Sequence, residues 1–251
     1  MTALALQVEG LQKNFGGIRV TRNVDLRLPV GARHALIGPN GAGKTTLVNQ
    51  LTGIIKPAAG TIRLFGADIT NITPERRVGL GLVRTFQINS LFLDLTAAEN
   101  VGLAVLAAKG LDAKPWGRIR FQPEVLDRVA DLLASVRLLD VAASRVGDLA
   151  YGHRRLVEIA LALALEPKVL LLDEPAAGVP SRDVEVLLQI LSELPEPLAV
   201  LLIEHDMNLV FRFARSISVL VNGSVLTEGS VEQVRADKRV HEVYLGRRGH
   251  G

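Results

Sequence analysis

The stretch Gly38-Pro39-Asn40-Gly41-Ala42-Gly43-Lys44-Thr45-Thr46 constrains this chain more than any other. It spells G-x-x-x-x-G-K-[ST], a phosphate-binding loop. The apolar run Ala35-Leu36-Ile37 before it fits the end of a buried strand, and Thr45 to Leu51 after it fits the first turns of a helix. A glycine-rich turn can match such a spelling by chance; the strand before and the helix after supply the context that the motif requires. Glycines let the backbone wrap closely around phosphates with several N–H groups turned inward. The helix that follows adds the positive end of its dipole. Lys44 is then expected to reach the β- and γ-phosphates, and the Thr45 hydroxyl to ligand Mg2+.

The rest of the chain must supply a frame for this loop. Its 251 residues are enough for a large core, and 48% of them are hydrophobic while only 4% are aromatic. The interior is therefore expected to be Leu, Val, Ala and Ile. The net charge of +3 is small, and no basic stripe with interleaved aromatics is visible, which argues against nucleic acid as a partner. Cysteine is absent, which excludes disulfides and thiolate zinc sites and fits a reducing cytosol. No signal-peptide pattern opens the sequence, and no apolar run approaches the roughly 18 residues of a membrane span.

Alternating residues at Leu4 to Val8 and Arg19 to Leu28 predict an antiparallel β-layer. From about Thr96 to Leu165 the pattern is helical. Thr96-Ala97-Ala98-Glu99 spells a capping box. Val125, Leu126, Val129, Leu132, Leu133 and Val136 form an apolar stripe. A further helix is expected from Arg154 to Leu165. We therefore expect one α/β domain: a parallel core with a β-layer at 1–87 and 166–251, and an inserted helical subdomain at about 88–165. Asn222-Gly223 predicts a hairpin near the end.

Val169-Leu170-Leu171-Leu172 reads as a buried parallel strand, and Asp173-Glu174 ends it. A phosphate loop with an acid-tipped apolar strand is the layout of a P-loop ATPase. Asp173 would hold Mg2+ through its water shell, and Glu174 is placed to polarise the attacking water. Two carboxylates at a strand end are otherwise common, so their weight comes from Lys44 and Thr45 upstream.

Five motifs then stand in order: the phosphate loop, Gln87, Leu149-Ala150-Tyr151-Gly152-His153, Val169 to Glu174, and His205. Their order and spacing resemble those of ATP-binding-cassette (ABC) proteins across essentially the whole chain. Arg84-Thr85-Phe86-Gln87, Ala150-Tyr151-Gly152, Asp173 to Gly178, Ile203 to Met207 and Val243 to Gly246 look like the ATP-binding subunit of branched-chain amino acid uptake transporters.

This resemblance implies a P-loop ABC ATPase fold and ATP hydrolysis coupled to transport. Gln87 would sense the γ-phosphate and Mg2+, His205 would contact the γ-phosphate or support the lytic water, and Phe15 would stack on adenine. Ala150, Tyr151 and Gly152 would meet ATP bound by a second ATPase subunit, because one chain carries one phosphate loop and one signature. The implied partners are membrane permeases and, indirectly, an extracellular or periplasmic substrate-binding protein. The implied location is the cytoplasmic face of the cell membrane. Other ABC tasks, urea uptake or lipopolysaccharide export, stay open as alternatives, as does a soluble non-transport ABC protein. Three residues depart from the family pattern. Ala150 lacks the signature serine hydroxyl, His153 replaces glutamine, and Pro180 stands where Asp or Asn is usual.

Overall fold

The computed structural model describes residues 3–85, 91–110 and 122–245. The chain divides into two compact units. The first comprises Met1–Leu82, Lys168–Glu174 and Pro195–Gly251; the second comprises Val83–Pro167 and Pro175–Leu194. Against the expected bounds of 1–87, about 88–165 and 166–251, the second unit starts at Val83, runs to Pro167 and takes in Pro175–Leu194. Pro175–Leu194 clusters with the helical residues, because its apolar face (Leu187, Leu188, Ile190, Leu191) is that of an amphipathic helix.

In the first unit, the expected β-layer is a four-stranded sheet. Strands β1 (Leu4–Phe15) and β2 (Ile18–Pro29) form a long hairpin. β4 (Ala59–Leu64) and β5 (Ala67–Asp68) extend it in the order β2-β1-β4-β5. The strands run longer than the alternation suggests, because register shifts beyond Val8 interrupt the period-2 pattern without ending the pairing. Leu6, Val8, Leu11, Val24, Leu26 and Leu28 turn one face inward and are fully or nearly fully buried.

A second sheet of six strands has the order β10-β9-β3-β8-β7-β6. Its centre is built from β3 (Arg33–Ile37), β7 (Val169–Asp173) and β8 (Ala199–Ile203), with β9 (Ser216–Val221) on the other side of β3. β3 pairs parallel with both β8 and β9, and β7 pairs parallel with β8. Every residue of β3 and β8 is buried, which is why β8 reads as an unbroken apolar run, while β3 opens on the buried polar pair Arg33-His34 before Ala35-Leu36-Ile37. β6 (Leu82–Arg84) lies at the edge. β10 (Ser224–Ser230) folds back on β9 as an antiparallel hairpin. Asn222 and Gly223 make the turn with φ of 48° and 82°, the doubly left-handed turn that an Asn-Gly pair favours. Helix α1 (Lys44–Leu51) follows β3, and α2 (Pro74–Gly79), α7 (Met207–Phe213), α8 (Val231–Ala236) and α9 (Lys238–Leu245) complete the unit.

The second unit is helical. Its elements are α3 (Ala97–Ala108), α4 (Pro123–Ser135), α5 (Tyr151–Ala164) and α6 (Ser181–Ser192). The capping box at Thr96 is formed. The Thr96 hydroxyl accepts from Glu99 N at 3.1 Å, and Thr96 N donates to the Glu99 carboxylate at 2.8 Å. In the predicted stripe of α4, Val125, Val129, Leu132 and Leu133 are buried, but Leu126 is half exposed. α4 stops at Ser135, because Arg137 takes a left-handed φ of 60° that cannot continue a helix. α5 begins at Tyr151, three residues ahead of the expected Arg154. Among the described residues no helix is long and apolar enough to cross a membrane.

Candidate nucleotide-binding site

The phosphate loop leaves the C-terminal end of β3 and enters α1, so the sheet fixes where the loop starts. Gly43 has φ of 100°, and a Cβ there would lie 2.7 Å from the Val20 carbonyl oxygen. Both facts require glycine. The hairpin turn braces the loop: Gly223 N donates to Ala42 O at 2.9 Å, while Arg22 N donates to Gly223 O at 2.7 Å. Lys44 is buried, and its ammonium donates to Gly38 O at 2.7 Å and Pro39 O at 3.2 Å. Burial lowers its pKa, while the charges of Glu174 and Asp173 pull the other way. The lysine is therefore a cation held inside a ring of backbone dipoles with two carboxylates nearby. Thr45 is exposed at the first turn of α1.

Beneath α1 lies a group that the sequence reading passed over. Arg77 of α2 is 1% exposed. Its guanidinium donates to Gln50 O at 2.8 Å, to Leu51 O, to Ile72 O at 2.9 Å and to Thr70 O at 3.0 Å. Two of these carbonyls belong to the last turn of α1, which has no helical partners for them. A buried cation there also complements the helix dipole. Gln50 adds a second tether, accepting from the Thr21 hydroxyl at 2.9 Å and donating to Gln12 O at 3.1 Å. Nothing in the local spelling marks Arg77 as buried.

The acid pair sits where expected, at the end of β7. Asp173 pairs in register with Ile203 of β8, and Glu174 N donates to Ile203 O at 2.9 Å. Glu174 has φ of 47°, a left-handed conformation that costs a non-glycine residue about 1 kcal/mol or more. That turn sends the chain out of the strand immediately after the second carboxylate. His205 follows β8, the neighbouring strand. Its Nδ1 lies 3.7 Å from Glu174 Oε1 and 3.6 Å from Glu204 Oε2. Glu204 is 1% exposed, and its Oε2 accepts from His205 N at 2.8 Å and from Asp206 N at 3.2 Å. It therefore fixes the bend that presents His205. Asp206 caps α7, accepting from Asn208 N at 2.8 Å. The signal for Glu204 was available: an acid placed directly after five apolar strand residues.

Lys44, Asp173, Glu174 and His205 thus gather at the same end of three adjacent parallel strands. Ligands bind outside the carboxyl ends of the strands in open α/β sheets. A cavity of about 280 Å3 lies beside the loop, lined by Ile18, Val20, Arg22, Gly41, Asn222 and Gly223 among others. Phe15 is not among its lining residues. It is half exposed, with the Lys13 ammonium 5.4 Å from the ring centroid. Gln87 lies outside the described residues.

In the second unit, Leu149 to His153 form the entry to α5. The N-cap Ala150 makes no side-chain cap bond, as its methyl group dictates. Arg154 holds the approach instead, donating to Leu149 O at 2.9 Å and Gly147 O at 2.6 Å. Pro180 is the N-cap of α6. Its carbonyl accepts from Asp183 N at 2.8 Å.

Comparison with known proteins agrees with this geometry. Residues 21–177 match the family model described as ABC transporter, and residues 224–250 match one described as branched-chain amino acid ATP-binding cassette transporter. The high-affinity branched-chain amino acid transport ATP-binding protein LivG of Escherichia coli is 40% identical, over 98% of this chain and 99% of that protein. BraF of Pseudomonas aeruginosa, bearing the same description, is 38% identical over 98% and 99%. Among solved structures, the ADP conformation of an ATP-binding cassette of an ABC transporter superposes with a TM-score of 0.87. It is 30% identical and covers 98% of this chain and 100% of that one. A dimeric, post-hydrolysis cassette bound to ADP and Pi reaches a TM-score of 0.76 at 25% identity, covering 90% and 98%. The chain belongs to the ABC transporter family and is one of its ATP-hydrolysing cassettes.

Proposed function

We propose that this chain hydrolyses ATP to energise a membrane importer for branched-chain or related amino acids. The end-to-end likeness to LivG and BraF carries the cargo class. The arrangement at the ends of β3, β7 and β8 supports the chemistry. Lys44, enclosed by Gly38 and Pro39 carbonyls, holds the β- and γ-phosphates at the N-terminus of α1, whose dipole favours an anion. Glu174 orients and deprotonates the attacking water, and His205, within 3.7 Å of it, steadies that carboxylate and the γ-phosphate. Glu204 keeps His205 in place through its backbone.

The donor set also fits Mg2+. Thr45 presents a hydroxyl at the mouth of the loop, and Asp173 presents a carboxylate at the end of β7; Gln87 is the third proposed contact. When bound, the ion neutralises charge that develops on the phosphates. Ala150, Tyr151 and Gly152 cover the nucleotide of a second cassette, identical or homologous. The permease subunits and an external binding protein supply specificity, with this chain on the inner face of the membrane.

The test is uptake in cells that lack this chain. Restoring it should restore uptake of labelled leucine, and Lys44→Ala should not. Unchanged leucine uptake without the chain, alongside lost urea uptake, would move the cargo to the alternative ABC task.

A further inference from the structure

Two segments of the second unit face nucleotide chemistry in this reading: the entry to α5 and the turn between Pro175 and α6. Neither is held by a side-chain cap. A single stack joins them. A Cβ built at Gly178 would lie 2.9 Å from Tyr151 Cε1, 3.1 Å from Cζ and 3.3 Å from the hydroxyl. The tyrosine ring therefore lies directly on the Gly178 backbone, leaving no room for a side chain. Gly178 also has φ of 74°, which an L side chain rarely adopts. The Arg155 guanidinium carbon lies 5.5 Å from the centroid of the same ring, within cation–π range. Arg155 in turn donates to Glu158 at 2.8 Å, and the Glu158 side chain is 2% exposed. Arg155 Nε and Glu158 Oε1 are buried with no hydrogen-bond partner among the described residues.

Such a pair is costly to bury and a poor source of stability. What it does achieve is to hold Arg155 in one orientation against Tyr151. The ring itself is 42% exposed, so Tyr151 is not simply a core residue.

We infer that Tyr151 is a positioning residue, clamped by the Arg155–Glu158 pair, that locks the 149–153 loop to the Gly178 turn as one rigid piece. The piece presents both segments together to the second cassette, which compensates for the polar groups missing at Ala150 and Pro180. This inference rests on the proposed role of the 149–153 loop, and it concerns how that loop is held.

A double-mutant cycle on the purified full chain tests it, reading ATPase rate at saturating ATP and nucleotide affinity by equilibrium titration. Tyr151→Ala and Gly178→Ala should each lower kcat about tenfold, the scale of a contact coupling. Gly178→Ala, which lies outside the nucleotide-covering loop, should keep affinity within about twofold. The double variant should be no slower than the slower single variant, and Tyr151→Phe should recover most of the rate. Tyr151→Leu replaces Tyr151→Ala in the cycle if the latter does not melt cooperatively. A wild-type kcat in Tyr151→Ala, or independent losses that multiply in the double variant, would overturn the inference. Either result would leave the proposed function standing, since that depends on Glu174 and on the uptake experiment.

Discussion

Both units end a functional loop in a helix N-terminus, yet they hold it by opposite means. In the first unit, α1 is anchored from below by buried polar groups with full sets of partners. Arg77 and Gln50 bond to carbonyls that a helix end leaves open, and Glu204 fixes the adjacent bend. In the second unit, α5 starts from an uncapped Ala150. Besides the Arg154 bonds to the Leu149 and Gly147 carbonyls, its support is a half-exposed ring on a glycine, clamped by an ion pair with two polar atoms that have no hydrogen-bond partner among the described residues. The contrast suggests a division of labour. In the proposed function, the loop that grips nucleotide through every cycle rests on a rigid base of buried polar groups. The loop proposed to meet its ligand only when two cassettes close is held by one ring contact and the Arg154 bonds.

Substitutions can break or sharpen this contrast. Arg77→Met should have the largest effect. It removes the guanidinium from four carbonyls, two of them at the end of α1, and should destabilise the fold by about 3 kcal/mol in a denaturant titration. A loss below about 0.5 kcal/mol, the level of an ordinary surface change, would mean that the base of the phosphate loop is not held this way.

The two units should also respond oppositely to pH. His34 of β3 is buried between the Ser216 and Ser218 hydroxyls, at 2.7 and 2.8 Å, and burial pushes its pKa down to about 4. From the ordinary 6.5 down to that value, the unfolded chain takes up a proton that the folded chain refuses. Its contribution is complete above 6.5 and is lost as pH falls. Glu158 is the reverse. Burial raises its pKa from 4.5 to about 7 against the pull of Arg155, so its contribution is present at low pH and lost as pH rises towards 7. Melting temperatures between pH 5 and pH 7 should therefore shift in opposite directions relative to wild type. Stability of His34→Gln should rise less steeply with pH, and that of Glu158→Gln more steeply. Parallel slopes in all three proteins would contradict the assignment of either group.

The smallest effect belongs to the capping box. Thr96→Ala should cost about 1 kcal/mol by thermal or chemical unfolding, with nucleotide affinity unchanged, because the box serves α3 and nothing in the first unit. A larger loss would mean that Thr96 carries more than a helix start.

What was legible in the sequence follows the same divide. The phosphate loop, the acid-tipped β7 and the Asn222-Gly223 turn are local spellings whose geometry is dictated by a few adjacent residues, and each is formed as read. Thr96 to Glu99 is another. Arg77 escaped notice because its partners Gln50 and Leu51 lie 27 and 26 residues away in sequence, beyond β4 and β5. An arginine on a short helix looks solvated until the tertiary fold closes over it. Glu204 was spelled out but lay in the shadow of His205. The Tyr151–Gly178 contact joins residues on either side of a whole helix and strand, and no periodicity signals it. The membership of Pro175–Leu194 in the helical unit was hidden for a similar reason, since it follows a core strand directly.

Glu174 carries a left-handed backbone at the end of β7, and its Oε1 lies 3.7 Å from His205 Nδ1. The most direct test is single-turnover hydrolysis of ATP by Glu174→Gln, with nucleotide binding measured on the same preparation. The variant should bind ATP as wild type does and hydrolyse it at least about 100-fold more slowly, the lower range for loss of a general base. Hydrolysis at the wild-type rate would show that Glu174 does not activate the water and that the site works by another arrangement.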